Sequence, residues 1–206
     1  MKEKREKLLF ELKEHVPFAA LATFVAVSVV MFLVYFMEKG VSEDVFHLFH
    51  FLHVIVSGMV TAGIFYKWKP SFSLSMAVGI SGAVIIGSIS DIIFPYLGWN
   101  LLGTEIHFHL PLIEETLPVL SMALFGSILG VTTKITKYPH FLHVFLSVFA
   151  SIFYLLAFAA VFSLSYFLGA FFVVFVAVII PCCLSDIIFP FFFFHSEKEK
   201  CVDTQR

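Results

Sequence analysis

The sequence contains few charged residues and few cysteines. Asp, Glu, Lys and Arg make up only 14% of its 206 residues, and its three cysteines are Cys182, Cys183 and Cys201. Two of the cysteines are adjacent, so their spacing predicts no disulfide framework. Walker, Rossmann, zincin and serine-hydrolase motifs do not occur. The charged N-terminal segment has a small net charge, so we expect no nucleic-acid partner.

Apolar residues dominate the composition instead. They account for 60% of the chain, which includes 28 Phe residues and has a mean hydropathy of +0.97. A water-soluble domain cannot accommodate this composition, whereas a helix crossing a bilayer needs about 20 mostly apolar residues. Six runs without Lys or Arg are long enough to span: 16–37, 44–66, 71–97, 110–132, 140–163 and 165–194. The sequence therefore predicts an all-α integral membrane protein with six transmembrane helices.

Two short strings occur twice, in the same order. HFLHV begins at His50 and again at His140, and SDIIFP includes Asp91 in its first copy and Asp186 in its second. The offsets are 140 − 50 = 90 and 186 − 91 = 95, so the chain is predicted to hold two related units of three helices each. Because three is odd, the second unit enters the membrane from the side opposite to the first. This pattern predicts two inverted-topology repeats.

The distribution of basic residues predicts the orientation. Lys and Arg lie before the first run, between the second and third, between the fourth and fifth, and after the sixth, and only Lys39 is left for the other face. Positive residues favour the cytoplasmic side, so we expect both termini to be cytoplasmic and the bilayer to be the plasma membrane. The predicted division is a cytoplasmic amphipathic segment 1–14, a first repeat 15–100, a second repeat 101–194 and a cytoplasmic tail 195–206.

Several ionisable residues fall inside the apolar runs. An ionised Asp at a helix centre costs roughly 2.5 to 3.5 kcal/mol on insertion scales, and no Lys or Arg within the runs could pair with it. Protonation, a water-filled cavity or a bound cation could each remove this cost. Imidazoles beside carboxylates favour a divalent transition metal, with zinc the most suitable and iron or manganese also compatible.

The spacing of the histidines predicts where the metal binds. His50 and His53 share one stripe of their helix, and we expect them to meet Asp91, His109 and one of Glu114 and Glu115 in the outer leaflet. The second copy predicts a sparser cluster toward the inner face. The full set of predicted metal ligands is His50, His53, Asp91, His109, Glu114, His140, His143 and Asp186.

Each of these groups also has a purely structural interpretation. A histidine in a spanning helix can simply hydrogen-bond to a neighbouring carbonyl group, and the two aspartates could join the repeats through backbone groups freed by Pro95 and Pro190. Glu114 and Glu115 could serve only to stabilise the positive N-terminal end of their helix.

Three functions fit this pattern. A divalent metal-ion transporter is favoured by the inverted repeats and by the clusters on both sides of the membrane. The alternative is a membrane-embedded metal-dependent hydrolase, with Glu114 or Glu115 as the catalytic base toward a lipid or membrane peptide. The third is a haem-binding electron carrier with axial histidines. Each of these is compatible with a homo-oligomer.

Overall fold

The structure is a computed structural model that describes residues 17, 20–30, 32, 41–133, 137–160 and 167–183. Within these ranges the regular structure is helical, apart from one isolated bridge between Ile106 and Ala159. The helices are α1 (Ala20–Val30), α2 (Glu43–Trp68), α3 (Phe72–Ser88), a π-helical segment (Ile89–Ile93), α4 (Phe94–Leu101), α5 (Pro111–Glu114), α6 (Thr116–Thr133), α7 (Lys137–Phe158) and α8 (Phe167–Cys183). The prediction of an all-α fold is confirmed for this part of the chain.

Three of these helical stretches are long and apolar enough to cross a membrane. They are Glu43–Lys67, Phe72–Leu101 and Thr116–Thr133, with 25, 30 and 18 residues. At about 1.5 Å per residue, the first two exceed the roughly 30 Å thickness of the hydrocarbon core. Within the described ranges, three further apolar helices are shorter: Ala20–Val30, Leu142–Phe158 and Leu168–Pro181. The predicted terminal segments 1–14 and 195–206 lie outside the described residues.

The boundaries of α2 follow from its sequence. Ser42 precedes the helix in an extended conformation, and the first turn carries Glu43 and Asp44, which favour the positive end of the helix dipole. The last turn carries Lys67, which favours the negative end. Lys69 is extended because the following Pro70 disfavours helical geometry in the residue before it.

Helices α2 and α7 pack against each other in antiparallel fashion. Near the start of α2, the ring of Phe46 lies 5.5 Å from Phe158 at the end of α7. Further along α2, the ring of His53 stacks at 4.7 Å on His143, close to the start of α7. Both distances are measured between ring centroids. This pairing brings the two HFLHV copies together with opposite chain directions.

Glycines allow α2 and α6 to approach each other closely. A Cβ atom added at Gly126 of α6 would collide with the carbonyl oxygen of Ile55, and one added at Gly130 would collide with that of Met59. The four-residue spacing puts both glycines on one face of α6. Small residues at such positions let helix backbones pack within van der Waals distance, which is typical of helices in membranes.

The helix that contains Asp91 is irregular beside the carboxylate. The peptide N–H of Phe94 donates to the carbonyl oxygen of Ile89, five residues earlier, and so forms a π-helical turn. Pro95 has no N–H group to donate back to Asp91. The sequence predicts that Pro95 frees a backbone group beside Asp91, and the structure shows that the helix forms a π-helical turn over Ile89–Ile93 there. Such turns are frequent at functional sites.

We predict that Gly126→Ala lowers the thermal stability of the detergent-purified protein. The new methyl group must displace the backbone of α2, and overpacking costs at least about 1–3 kcal/mol. Gly87→Ala is the matched control, because its Cβ would lie at an ordinary contact distance of 3.4 Å from Val54. Unfolding temperatures that are equal for wild type and Gly126→Ala would contradict the close approach of α2 and α6.

Candidate functional site

The carboxylate of Asp91 is fully buried and accepts four hydrogen bonds. On Oδ2 it accepts from the Nδ1 atoms of His50 at 2.9 Å and His53 at 2.6 Å. On Oδ1 it accepts from the hydroxyls of Ser90 at 2.8 Å and Ser147 at 3.0 Å. A carboxylate has about four acceptor positions, so Asp91 is saturated by these partners. We call these five residues the buried cluster.

The hydrogen bonds to Asp91 determine which ring nitrogens of the two histidines stay free. A carboxylate can only accept, so Nδ1 of His50 and of His53 carries the proton, and Nε2 of the neutral ring then presents a lone pair. Neither Nε2 atom has a hydrogen-bond partner, although His50 is 1% exposed and His53 is fully buried. Each ring therefore holds a buried lone pair without a hydrogen-bond donor.

His143 joins this region from α7. Its ring stacks on that of His53 with an angle of 21° between the two planes, and the residue is fully buried. The sequence predicts a separate inner cluster for His143 together with His140 and Asp186. The structure instead places the His143 ring against that of His53, because α7 runs antiparallel to α2 in direct contact with it. Asp186 lies outside the described residues, as does the side chain of His140.

A second group of ionisable side chains lies at the start of α2. His47 Nε2 is 2.8 Å from His109 Nε2, and His109 Nδ1 is 2.8 Å from a carboxylate oxygen of Glu114. His47 Nδ1 also lies 3.8 Å from Glu115, as part of a looser ion pair. The side chains of Glu114 and Glu115 are 51% and 35% exposed, so this group, which we call the rim cluster, opens toward the surroundings.

The protonation pattern of the rim cluster can be derived from these contacts. His109 donates from Nδ1 to the carboxylate of Glu114, so its Nε2 accepts from His47 Nε2–H when both rings are neutral. Nδ1 of His47 then carries a lone pair near Glu115, and a proton bound there completes an ion pair with that carboxylate. The rim cluster can therefore take up and release one proton without rearranging its other contacts.

The loop before α5 is fixed to the end of α7, and this fixes His109. The peptide N–H of His107 donates to the carbonyl oxygen of Phe158 at 2.9 Å, and that of Ala160 donates to Glu105 at 3.1 Å. The hydroxyl of Tyr154 donates to the carbonyl oxygen of His107 at 3.3 Å. Pro111 then begins α5, a position where proline is favoured because no N–H is needed.

The predicted outer site is therefore divided in two. The structure brings His50, His53 and Asp91 together as expected, but it pairs His109 and Glu114 with each other in the rim cluster. Asp91 is an orienting group, because all its acceptor positions are used. In the part of the chain that the structure describes, no group of three or more His, Cys, Asp or Glu side chains is placed to hold a metal ion.

Three contributors were not among the predicted site residues. His47 belongs to a run with His50 and His53 at intervals of three residues, and this spacing was the available signal. Ser147 lies seven residues after His140, as Ser57 does after His50, so the repeat marked it as polar without showing its partner. Ser90 is adjacent to Asp91 and is buried with it.

Comparisons with protein-family models, with curated proteins and with solved structures found no match to this chain.

We predict that Asp91→Asn destabilises the fold. The amide oxygen can take the place of Oδ2 and keep both imidazole N–H groups, but the amide NH2 group then stands where Oδ1 accepts from Ser90 and Ser147, and it cannot accept. All four donors also lose the negative charge that they share. A hydrogen bond to a charged group contributes about 1.5–3 kcal/mol, so the loss of the charged acceptor should cost at least this much. The measurement is thermal unfolding in detergent micelles. Asp44→Asn, an exposed position in the first turn of α2, is the control with the same chemical change and should cost less than about 1 kcal/mol. Equal stability of the two variants would contradict the saturated carboxylate.

Proposed function

We propose that the protein is a divalent metal-ion transporter, with zinc as the favoured ion and iron or manganese also suited to the site. The observation that carries the proposal is the pair of unpartnered Nε2 atoms on His50 and His53. A buried polar group without a partner costs about 1–3 kcal/mol, and two of them lie on neighbouring turns of one helix. A cation bound to the Nε2 lone pairs would supply the missing partner of both rings.

The role of Asp91 in this proposal is to orient the ligands. Metal-binding histidines commonly donate their other ring N–H to a carboxylate, which fixes the tautomer and makes the ring a better ligand. His50 and His53 both show this arrangement toward a single carboxylate. The negative charge of Asp91 also offsets the charge of a cation held at Nε2. Two imidazoles do not complete a tetrahedral zinc shell, so the transported ion would keep water molecules as further ligands.

The rim cluster is suited to capture the ion. It combines two imidazoles with two carboxylates that are partly exposed, and His47 is one turn before His50 on the same face of α2. Binding of a cation at the two Nε2 atoms of His47 and His109 must displace the proton that lies between them. When His47 is neutral, this proton can move to its Nδ1 atom near Glu115, so the ring stays neutral. When both nitrogens of His47 carry protons, capture at the rim cluster is proposed to release one of them.

The proposed architecture remains six spans in two inverted repeats, with both termini in the cytoplasm and the protein in the plasma membrane. The antiparallel packing of α2 and α7 supports this, because inverted repeats require their equivalent helices to run in opposite directions. Asp91 supports it as well, since it accepts hydrogen bonds from His50 in one repeat and Ser147 in the other. Sites at the interface of repeats are typical of transporters.

The hydrolase alternative has less support from the geometry. A general base must reach the water that it activates, and Glu114 is instead hydrogen-bonded to His109 and to the peptide N–H of Leu110. Glu115, which makes only the looser contact to His47 at 3.8 Å, would then be the base. Haem ligation by His50 or His53 remains an alternative that an absorbance spectrum of the purified protein would test. In that case the Nε2 atoms would serve as axial ligands.

The proposal predicts that purified protein binds about one zinc ion per chain more than the double variant His50→Ala, His53→Ala, in which the rim cluster is intact. Metal content after dialysis against zinc, measured by mass spectrometry, gives the result directly. His107→Ala is the matched control, because it removes an exposed imidazole from the nearby loop and should leave the bound zinc unchanged. Absence of bound metal from folded wild-type protein, after zinc, iron and manganese have each been offered, would refute the metal site.

The rim cluster predicts a separate kinetic effect. Glu115→Gln removes a negative charge close to His47, so the zinc concentration for half-maximal uptake into proteoliposomes should rise about 3–10-fold, equivalent to roughly 0.7–1.4 kcal/mol. Zinc binding to the buried cluster should persist, because the two clusters share no side chain. Glu105→Gln, an exposed change in the same loop region, is expected to have no effect. If the zinc concentration for half-maximal uptake is the same for Glu115→Gln and the wild type, capture at the rim cluster is contradicted.

A further inference from the structure

Four buried polar atoms without hydrogen-bond partners lie along one side of α2. They are His50 Nε2, His53 Nε2, Ser57 Oγ and Thr61 Oγ1, and all four residues are at most 1% exposed. Their spacings of three, four and four residues keep them within a stripe about 80° wide. Eleven residues at about 1.5 Å each give the stripe a length of roughly 16 Å, about half the thickness of the hydrocarbon core.

Unpartnered hydroxyls are not the rule in this bundle. Ser127 of α6 donates to the carbonyl oxygen of Ala123 at 2.8 Å, and Ser151 of α7 donates to that of Ser147 at 2.8 Å. Both are fully buried, as Ser57 and Thr61 are. A serine or threonine in a helix can donate to the carbonyl oxygen four residues earlier when its rotamer allows it. Ser57 and Thr61 make no such bond and have no other hydrogen-bond partner among the protein atoms, which leaves both hydroxyls available to water.

The stripe lies on a different side of α2 from the tight contact with α6. Gly58 and Gly63 face α6, where their added Cβ atoms would lie 2.9 Å from the carbonyl oxygen of Ala123 and 3.1 Å from that of Gly130. Around the axis of α2, Gly58 lies about 100° from Ser57 and about 60° from Thr61, and Gly63 lies about 160° from Thr61. The polar stripe is thus separate from the glycine contact that holds the two helices together.

We propose that this stripe is a hydrated path for the transported cation, which runs from the buried cluster along α2 toward its Lys67 end. The cation as the solute rests on the proposed function, whereas the hydration of the path does not. Buried polar atoms in native proteins are almost always bonded to protein or to ordered water, and water occupies sites with two or more polar partners. Ser57 and Thr61 supply such partners one helical turn apart.

The order of groups along α2 suits directional passage. The rim cluster contains two carboxylates, the buried cluster contains imidazoles oriented by one carboxylate, and the stripe beyond His53 offers only neutral hydroxyl oxygens. Hydroxyls are weaker ligands for a divalent transition metal than imidazole or carboxylate. A cation that reaches Ser57 is therefore held loosely and can exchange its ligands for water, which favours release.

Cysteine labelling tests the hydration of the path. Ser57→Cys and Thr61→Cys are prepared in a background where Cys182, Cys183 and Cys201 are replaced by Ser, and the membranes are treated with a small, charged methanethiosulfonate reagent. The reagent modifies only thiols that water reaches. Ser127→Cys is the matched control, since it is an equally buried hydroxyl position whose side chain bonds to its own backbone.

Modification of positions 57 and 61, but not of position 127, is the expected result. If positions 57 and 61 stay unmodified until the protein is denatured, the path is dry and the proposal is overturned. If all three positions react alike, the bundle opens as a whole and a path confined to the stripe is equally overturned. The labelling results do not depend on metal binding. A failure of the proposed function would show instead as an absence of zinc from the wild-type protein.

Transport measurements test whether the path is used. The double variant Ser57→Ala, Thr61→Val should retain the zinc content of the wild type and its thermal stability, while zinc uptake into proteoliposomes falls at least tenfold. Ser127→Ala should transport like the wild type. Wild-type uptake by the double variant, with its zinc binding intact, would show that the hydroxyls do not contribute to passage and would overturn their assigned role.

Discussion

The buried carboxylate of Asp91 is the constraint on which the arrangement of the helices depends. An ionised carboxylate in an apolar interior is costly unless all its acceptor positions are filled. Here the donors come from α2, from the π-helical turn and from α7, so those three elements must hold one relative position. Ser151 adds a bond from α7 to the carbonyl oxygen of Ser90 at 3.0 Å, beside the carboxylate. The hydrogen bonds of the polar site therefore also fix the packing of these helices.

The other contacts of α2, with α6 and with aromatic rings, are compatible with the position that the bonds to Asp91 require. On one side Gly126 and Gly130 of α6 carry no side chain toward α2, so the backbones of the two helices are in direct contact there. On the side of α7, aromatic rings fill the space above the histidines, and the ring of Phe46 stacks at 5.6 Å on His50 and contacts Tyr154 at 5.3 Å. In this packing the Nε2 atoms of the two histidines have no hydrogen-bond partner. Under the proposed function, a cation would be that partner.

The sequence predicted much of the buried cluster, and it did so for physical reasons. Helical periodicity places His50 and His53 on one stripe, and the cost of an isolated Asp in lipid predicts that Asp91 meets polar partners. The same reasoning did not separate His109 and Glu114 from that site. Their position depends on the loop that Tyr154 and Phe158 hold against α7, which no periodic pattern indicates. His143 was assigned to a separate cluster because the distance between α2 and α7 is a property of packing alone.

By itself, the sequence determined the helical class, the apolar character of the spans and the identity of the residues that must be shielded from lipid, because composition and helical period depend only on the order of residues. The tertiary structure alone decided which nitrogen of each histidine faces Asp91, that the carboxylate is saturated, and that two hydroxyls beyond it have no protein partner. Helical period gives the face on which a side chain lies. The rotation of the ring and the choice of partner depend on the neighbouring helices, whose positions are set by packing between residues far apart in the chain.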